Sequence, residues 1–377
     1  MINSIDSIMY NLNILNERNT KVNYGLSTGE SLQYGSDDAL KYDYILKIEQ
    51  DTNIYTSIQD GINYSNSFST SSDTALAEIK TTTESIISEI IKANTDTTSD
   101  SEREIISSQI QDYKELLFSL ANSDYNDDYL FSGTNSTAQA FLMDDTTGKV
   151  SYESDNSIKS LNVEKNRYVS QGVNGIDVFY YTNNSVEDTE SFTFLSSEKI
   201  IDEEGNEWKL LDSDNDGIED GLFLNADITS SSISVTLNSD GEFEAVNSSG
   251  TMFDVKHSVF DDLDDVINAL NLKDSSGNSI SSDESSSIIS NSLANINDAY
   301  DAQNIAHSLV GTRTNTIDTY STIIQSKLTN LAILENEYAS ADLTSLAVEA
   351  QSLENTYTAL YSTINRVNDL SLVKYLS

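Results

Sequence analysis

The 377-residue chain contains neither cysteine nor proline. Without cysteine there is no disulfide, no thiolate nucleophile and no Cys-ligated zinc or iron–sulfur centre. Average usage of about 5% would place about nineteen prolines in a chain of this length. Their absence removes the strongest helix breaker and a slow isomerisation step, which suits long helices. Basic residues are scarce too: 20 against 62 acidic ones, a net charge of −42. Nucleic acids and anionic membrane surfaces are polyanions, so this balance argues against both as partners. Copies of the chain packed together would repel one another unless salt screens them. No apolar run approaches about 18 residues, so no membrane-spanning helix is expected. The stretch from Met1 to Met9 has no basic segment leading into an apolar core, so no cleaved secretory signal is expected either.

Groups for catalysis are equally thin. The two histidines, His257 and His307, have no motif serine or second histidine at a useful spacing. No glycine-rich phosphate loop and no dinucleotide fingerprint occurs. Carboxylate pairs are everywhere, so none singles out a hydrolytic site. The expectation is a protein that is not an enzyme.

What the chain does have is an apolar stripe at each end. At the front it reads Ile5, Ile8, Leu12, Leu15, Asn19, Val22, Leu26; at the back Leu343, Leu346, Ala350, Leu353, Tyr357, Leu360, Ile364, Val367. Steps of three and four keep one face of a helix turned to a partner helix. Two such helices at opposite ends predict that they pack on each other, and their apolar positions are the candidate assembly interface. Asn19 would fix register at some cost in stability.

Between them the periodicity changes twice. The first helix is predicted from about Asn3 to Tyr24, with Gly25 and Gly29 as a stop. Ser36-Asp37-Asp38 reads as the N-cap of a long helix reaching about Ala93, whose later part carries Leu76, Ile79, Thr83, Ile86 and Ile90. After a polar break from Thr95 to Ser101 comes Ile106, Ile110, Tyr113, Leu117, Leu120, so the two stretches read as an antiparallel hairpin. From about Tyr129 to Ser258 the helical period fades into short β-rich runs. These include Gly175–Tyr181, Ser191–Phe194 and a hairpin of Ile233–Leu237 with Glu242–Val246, and turn signals fall at Thr147-Gly148, Asn174-Gly175 and Asp240-Gly241. A short amphipathic helix follows, with Phe260, Leu263, Ile267 and Leu270 on one face. Its early acids Asp261, Asp262, Asp264 and Asp265 suit the helix dipole. After a polar linker from Asp274 to Asp283, helix resumes from about Glu284 to Ala339, and a last helix starts near Ala341. The predicted class is α+β: a long-helix bundle or coiled coil formed by both termini, with an inserted, mainly β outer domain. The predicted domains are 1–35 with 341–377, 36–128 with 284–340, and 129–283.

One local motif suggests a ligand. Asp212, Asp214, Asp216 and Asp220 flank Gly217, and the Ile218 carbonyl could add a ligand. Hard oxygens at alternate positions are what calcium takes. The run resembles thrombospondin type 3 and related Asp-rich calcium loops. It departs from an EF-hand, since Phe223 stands where the bidentate Glu would be. Two readings stand: a calcium loop that staples the chain locally, or an acidic surface turn between strands.

Five segments resemble the bacterial flagellin superfamily, and within it the hook–filament junction branch more than flagellin itself. They are Leu26-Ser-Thr-Gly29 with Gly35-Ser-Asp-Asp38; Tyr129-Leu-Phe-Ser-Gly133 with Phe141; the helix Val259 to Leu270; Val310-Gly-Thr-Arg-Thr-Asn315; and the end from Ile364 to Leu376. The first lacks the proline often found before Ser-Asp-Asp in that superfamily. The resemblance covers the two terminal portions, roughly half the chain, and not the β-insert. It implies an extracellular protein of the flagellum, exported through the flagellar channel, with a helical inner core and the insert outermost. Implied partners are further copies of the chain, hook-associated protein 1, flagellin and an export chaperone. A flagellin-like filament subunit and a surface adhesin are the alternatives.

Overall fold

The structure is a computed structural model that describes residues 2–95, 99–214, 217–239 and 241–376, with side chains over 6–366 of these. Seven helices are present among them: α1 (Ile2–Thr28), α2 (Ala39–Ala93), α3 (Asp100–Ala121), α4 (Gly175–Phe179), α5 (Val259–Leu270), α6 (Ser282–Ala339) and α7 (Leu343–Leu376). The long helices follow from the missing proline, since α2 and α6 run 55 and 58 residues without a breaker. The α+β class read from the sequence is the class observed.

The chain forms two compact units, Met1–Asp60 with Ser321–Ser377, and Gly61–Tyr320. The first contains α1, α7 and the adjoining ends of α2 and α6. Here α1 runs past Gly25 to Thr28 and stops where Gly29 adopts φ +78°. Gly25 is therefore an interior residue rather than part of the stop, and it has a packing reason. A Cβ at this position would lie 2.5 Å from Leu346 Cδ1. Asp38 caps α2 by accepting from the Lys41 amide at 3.0 Å, and Asp342 caps α7 by accepting from the Thr344 and Ser345 amides. The turns after α1 and α6 are tied together: the Ser31 amide donates to the Ala339 carbonyl at 2.7 Å, and the Ala341 amide to that of Gly29 at 2.8 Å.

In the second unit, α2 and α6 run antiparallel. Polar pairs along their length include Asn94–Ser290, Glu84–Tyr300, Asp73–His307 and Asn66–Asp318. The predicted stripe Leu76, Ile79, Thr83, Ile86, Ile90 is buried throughout, against Ile110 and Leu117 of α3 and Ile289, Ile296 and Val310 of α6. Ser99 and Glu102 form a reciprocal capping box at the start of α3.

The inserted region opens with three two-stranded ribbons. They are β1 (Asp124–Tyr125) with β2 (Asp128–Tyr129), β3 (Phe141–Met143) with β4 (Val150–Tyr152), and β5 (Ser160–Glu164) with β6 (Arg167–Ser170). The remaining strands are β7 (Tyr180–Val186), β8 (Ser191–Phe194), β9 (Lys199–Asp202), β10 (Glu207–Leu211), β11 (Gly221–Leu224), β12 (Ser232–Leu237), β13 (Phe243–Val246) and β14 (Phe253–Ser258). They make one antiparallel sheet in the order β7-β14-β9-β10-β11-β12-β13-β8. The predicted hairpin is β12–β13, with Val235 opposite Ala245 and Leu237 opposite Phe243; Asp240 of its turn lies outside the described residues. The sheet has its own core, in which Trp208, Phe192 and Phe253 meet.

One predicted strand is wrong at its start. Gly175–Phe179 is the helix α4, and strand begins only at Tyr180. The apolar, β-branched composition pointed to strand, but the Asn174 side chain accepts from the Asp177 amide at 2.8 Å and caps a helical turn. Asn174-Gly175 is thus a helix start, not a hairpin turn. Gly175 is required by packing, since a Cβ there would fall 2.5 Å from the Tyr152 ring.

Gly133 closes the Tyr129–Gly133 segment at φ +62°, and a Cβ there would meet the Asp155 and Ser157 carbonyl oxygens at 2.7 and 2.8 Å. Backbone cannot yield as a flexible side chain can. Gly133→Ala is expected to destabilise by about 2 kcal/mol or more, read as a lowered urea midpoint. An unchanged midpoint would show that the close approach is not needed.

Candidate assembly interface

The two terminal stripes meet. Leu15, Val22 and Leu353 form the buried centre of the α1–α7 contact, with Leu346, Ala350, Tyr357 and Leu360 packed around them. Ile8, Leu12, Asn19 and Ile364 are half-buried. The Tyr357 hydroxyl donates to Asn16 Oδ1 at 2.7 Å, and Arg18 pairs with Glu349 at 2.7 Å. Leu26 and Leu343 do not join the contact: they are 39% and 51% exposed, because Gly25 takes the inward position at that end. The side chains of Ile5 and Val367 lie outside the described set.

The outer surface of this unit is unusually apolar. Met9, Tyr10, Leu40, Tyr44, Ile333 and Val348 are all exposed, Leu40 to 77%. Only Leu15, Val22, Ile48, Ile58, Ile324 and Leu353 are fully buried apolar residues there, among those described. Charge is distributed unevenly as well. The terminal unit carries 15 acidic and 7 basic residues, the other unit 47 and 13. Repulsion between copies is therefore weaker at the terminal unit than at the other. Lys21 Nζ sits 2.5 Å from Asp37, and that contact, with the Tyr34 amide, holds the Asp37 carboxyl below its usual range.

The Asp-rich turn is closed by its own hydrogen bonds. Asp212 accepts from the Gly217 amide at 2.7 Å, and Asp220 from the Ser213 amide and hydroxyl at 3.0 and 2.6 Å. The Ser213 bonds also lower the Asp220 pKa. Asp214 and Ile218 lie on the same turn, while Asp216 is outside the described residues. Among the described residues, no three acidic or histidine side chains gather as a metal ion requires.

Two polar centres in the second unit went unread in the sequence. His257 on β14 places Nδ1 2.9 Å from Glu198 and Nε2 3.9 Å from Asp262 of α5. Asp262 also accepts from the Tyr181 hydroxyl at 3.0 Å and the Asn295 amide at 2.8 Å. Burial acts to lower the His257 pKa, but the hydrogen bond to Glu198 and the charges of Asp262 and Glu198 prevail and raise it to about 9. Burial raises Asp262 to about 6 against those same partners. The acids of α5 stand at a helix start and are also withdrawn from solvent: Asp262 is fully buried, and Asp264 and Asp265 are half-buried with raised pKa values. The second centre is Lys114 of α3. It occupies the apolar stripe between Ile110 and Leu117, and its amine touches Asp264 at 2.5 Å and the Gly148 carbonyl at 2.7 Å. Sequence separations of 59 and 150 residues left no local signal for either.

Residues 3–136 match the family model of the bacterial flagellin N-terminal helical region. No curated protein sequence matches the chain. FlgL of Xanthomonas campestris is a similar solved structure: 18% identity over 77% of this chain and 99% of that one, with a TM-score of 0.51. Flagellar hook associated protein-3 of Legionella pneumophila is another, at 19% identity over 78% and 98% of the two chains, with a TM-score of 0.52. At such identities the likeness is one of fold. The resemblance to the flagellin superfamily read from the sequence holds in that fold and in the N-terminal helical region.

Proposed function

We propose that the chain is a structural subunit of the bacterial flagellum, of the hook-associated protein 3 kind, joining the hook to the flagellin filament. The observation that carries this reading is the terminal unit. It pairs the two ends of the chain and still leaves large apolar side chains uncovered, Leu40 and Tyr10 foremost. Burying one such side chain is worth about 1.5–3 kcal/mol, so further copies and neighbouring subunits gain by covering them. The neighbours on this reading are hook-associated protein 1 on one side and flagellin on the other, with an export chaperone before secretion.

Immunogold labelling of intact cells with antibody against residues 155–246 tests the placement. The expected result is a narrow band between hook and filament. Label along the whole filament would make the chain a filament subunit, and label away from flagella would favour an adhesin. Leu360→Asp tests the mechanism. Leu360 packs on the Leu15–Leu353 contact, so the variant is expected to be exported at normal level and to be absent from the assembled structure. Normal swimming by cells carrying only this variant would overturn the packing mechanism.

A further inference from the structure

Lys114 is the one lysine among the largest fully buried side chains, at 1% exposure. It contributes nothing to the proposed assembly surface. Its amine is held on two sides, by Asp264 Oδ1 at 2.5 Å and by the Gly148 carbonyl at 2.7 Å. The second carboxylate oxygen of Asp264 is buried with no hydrogen-bond partner, and so is Oδ2 of Asp261. Asp261 precedes Asp264 by three positions on α5, which puts the two carboxyl groups side by side on one helix face. The surroundings are apolar: Ile110 and Leu117 flank Lys114 on α3, and Leu263 follows Asp262 in the core of α5, all fully buried.

We infer that Lys114 and Asp264 form an intramolecular isopeptide bond once the chain has folded. An amine and a carboxyl group fixed in contact react as one unit, and the effective concentration of such a pair far exceeds that of free groups. In water the pair stays an ion pair and does not react. Partial withdrawal from water disfavours the charged forms, and burial raises the carboxyl pKa of Asp264, with the neighbouring Asp261 charge pushing the same way against Lys114.

The bond-forming step balances without any other reactant. A proton passes from the ammonium to the Asp264 carboxylate, giving amine and carboxylic acid. The Nζ lone pair adds to Cγ of Asp264, forming the C–N bond. A proton moves from the adduct nitrogen to the departing hydroxyl, the C–O bond breaks, and water leaves. The net change is one amide gained and one water lost. The Asp264 side chain is 21% exposed, which gives that water a way out. The product amide keeps one N–H, able to donate to the Gly148 carbonyl as the amine did. The link would join α3 to α5 and close the whole inserted region into a covalent ring.

The test is the intact mass of the purified, folded full-length chain, followed by peptide mapping. The expected mass is lower than the sequence mass by one water, with Lys114 and Asp264 recovered in one branched peptide and no tryptic cleavage after Lys114. Lys114→Arg keeps the charge but cannot form this amide, and is expected to restore the full mass. Asp261→Asn removes a charge that favours the neutral Asp264 carboxyl, and is expected to leave the fold and the Lys114–Asp264 contact in place and to slow the mass loss. Asp264→Asn, if linked, would lose ammonia in place of water. A folded wild-type chain at its full sequence mass, after prolonged incubation, would overturn the inference and leave a buried ion pair.

Discussion

Between pH 6.5 and about pH 9 the folded chain is expected to lose about 3 kcal/mol of stability through His257 alone. The folded state holds the His257 proton more tightly than the unfolded chain, because Glu198 and Asp262 face the ring from the β8–β9 connection and from α5. Below the unfolded value of 6.5 both states carry the proton and the stabilisation is complete. As pH rises through about 9 the native ring gives up its proton and the stabilisation is gone. Asp262 acts in the same direction in a lower window. Its pKa is raised from 3.8 to about 6, so the native state binds that proton more tightly and stability falls as pH climbs across that interval. The chain should therefore be most stable under mildly acidic conditions, opposite to a protein held together by exposed salt-bridged carboxylates. Urea unfolding at a series of pH values reads this directly. His257→Gln is expected to flatten the slope between pH 6.5 and 9, and to be less stable than wild type at pH 6, where Glu198 and Asp262 are left without their cation. Parallel slopes for the two proteins would refute the assignment.

The second large effect is expected from Phe141→Ala, about 3–5 kcal/mol of destabilisation. Phe141 is fully buried at the start of β3, where its ring lies 5.0 Å from that of Tyr152, 4.9 Å from Phe179 and 5.7 Å from Phe260. Ribbon, α4 and α5 thus meet on one side chain, and three rings border the cavity its loss would leave. Those rings are themselves pinned, Phe179 stacking on Phe260 at 5.4 Å, so collapse into the space is restricted. Phe141→Leu, which fills most of the volume, should recover more than half of the loss. Equal midpoints for the alanine variant and wild type in urea would mean that this cluster does not hold the insert to α5.

The helices were legible because their signal is periodic and local. Leu76, Ile79, Ile86 and Ile90 repeat on one face, and nothing in the chain interrupts them. The pairing of the ends was legible for the same reason, and Leu15 and Leu353, each in its stripe, lie at the buried centre. The end of that contact was not. Gly25 carries no side chain to register in an apolar pattern, yet it takes the place that heptad spacing assigned to Leu26. α4 was misread because Ile176, Val178 and Phe179 are strand-like in composition, and a single capping bond from Asn174 decided the matter. Lys114 was invisible for a different reason. A lysine on a helix reads as solvated, and only the folded chain brings Asp264 and the Gly148 carbonyl around it. The acids of α5 looked like dipole partners at a helix start; their burial depends on β7, β14 and α6, which no local window contains.

The contact between Leu15 and Leu353 closes a loop of more than three hundred residues, and such closure is entropically costly when the chain between is free. The antiparallel pairing of Asn66 with Asp318 shortens that loop about fourfold before the ends need to meet. By the logarithmic dependence of closure on length, this saves about 1.2 kcal/mol. The order of folding follows: the unit in the middle of the sequence forms first, from contacts nearer in sequence, and the two termini zip together last. A chain truncated after α6 should still fold its middle, while α1 waits for a partner that only another chain could bring.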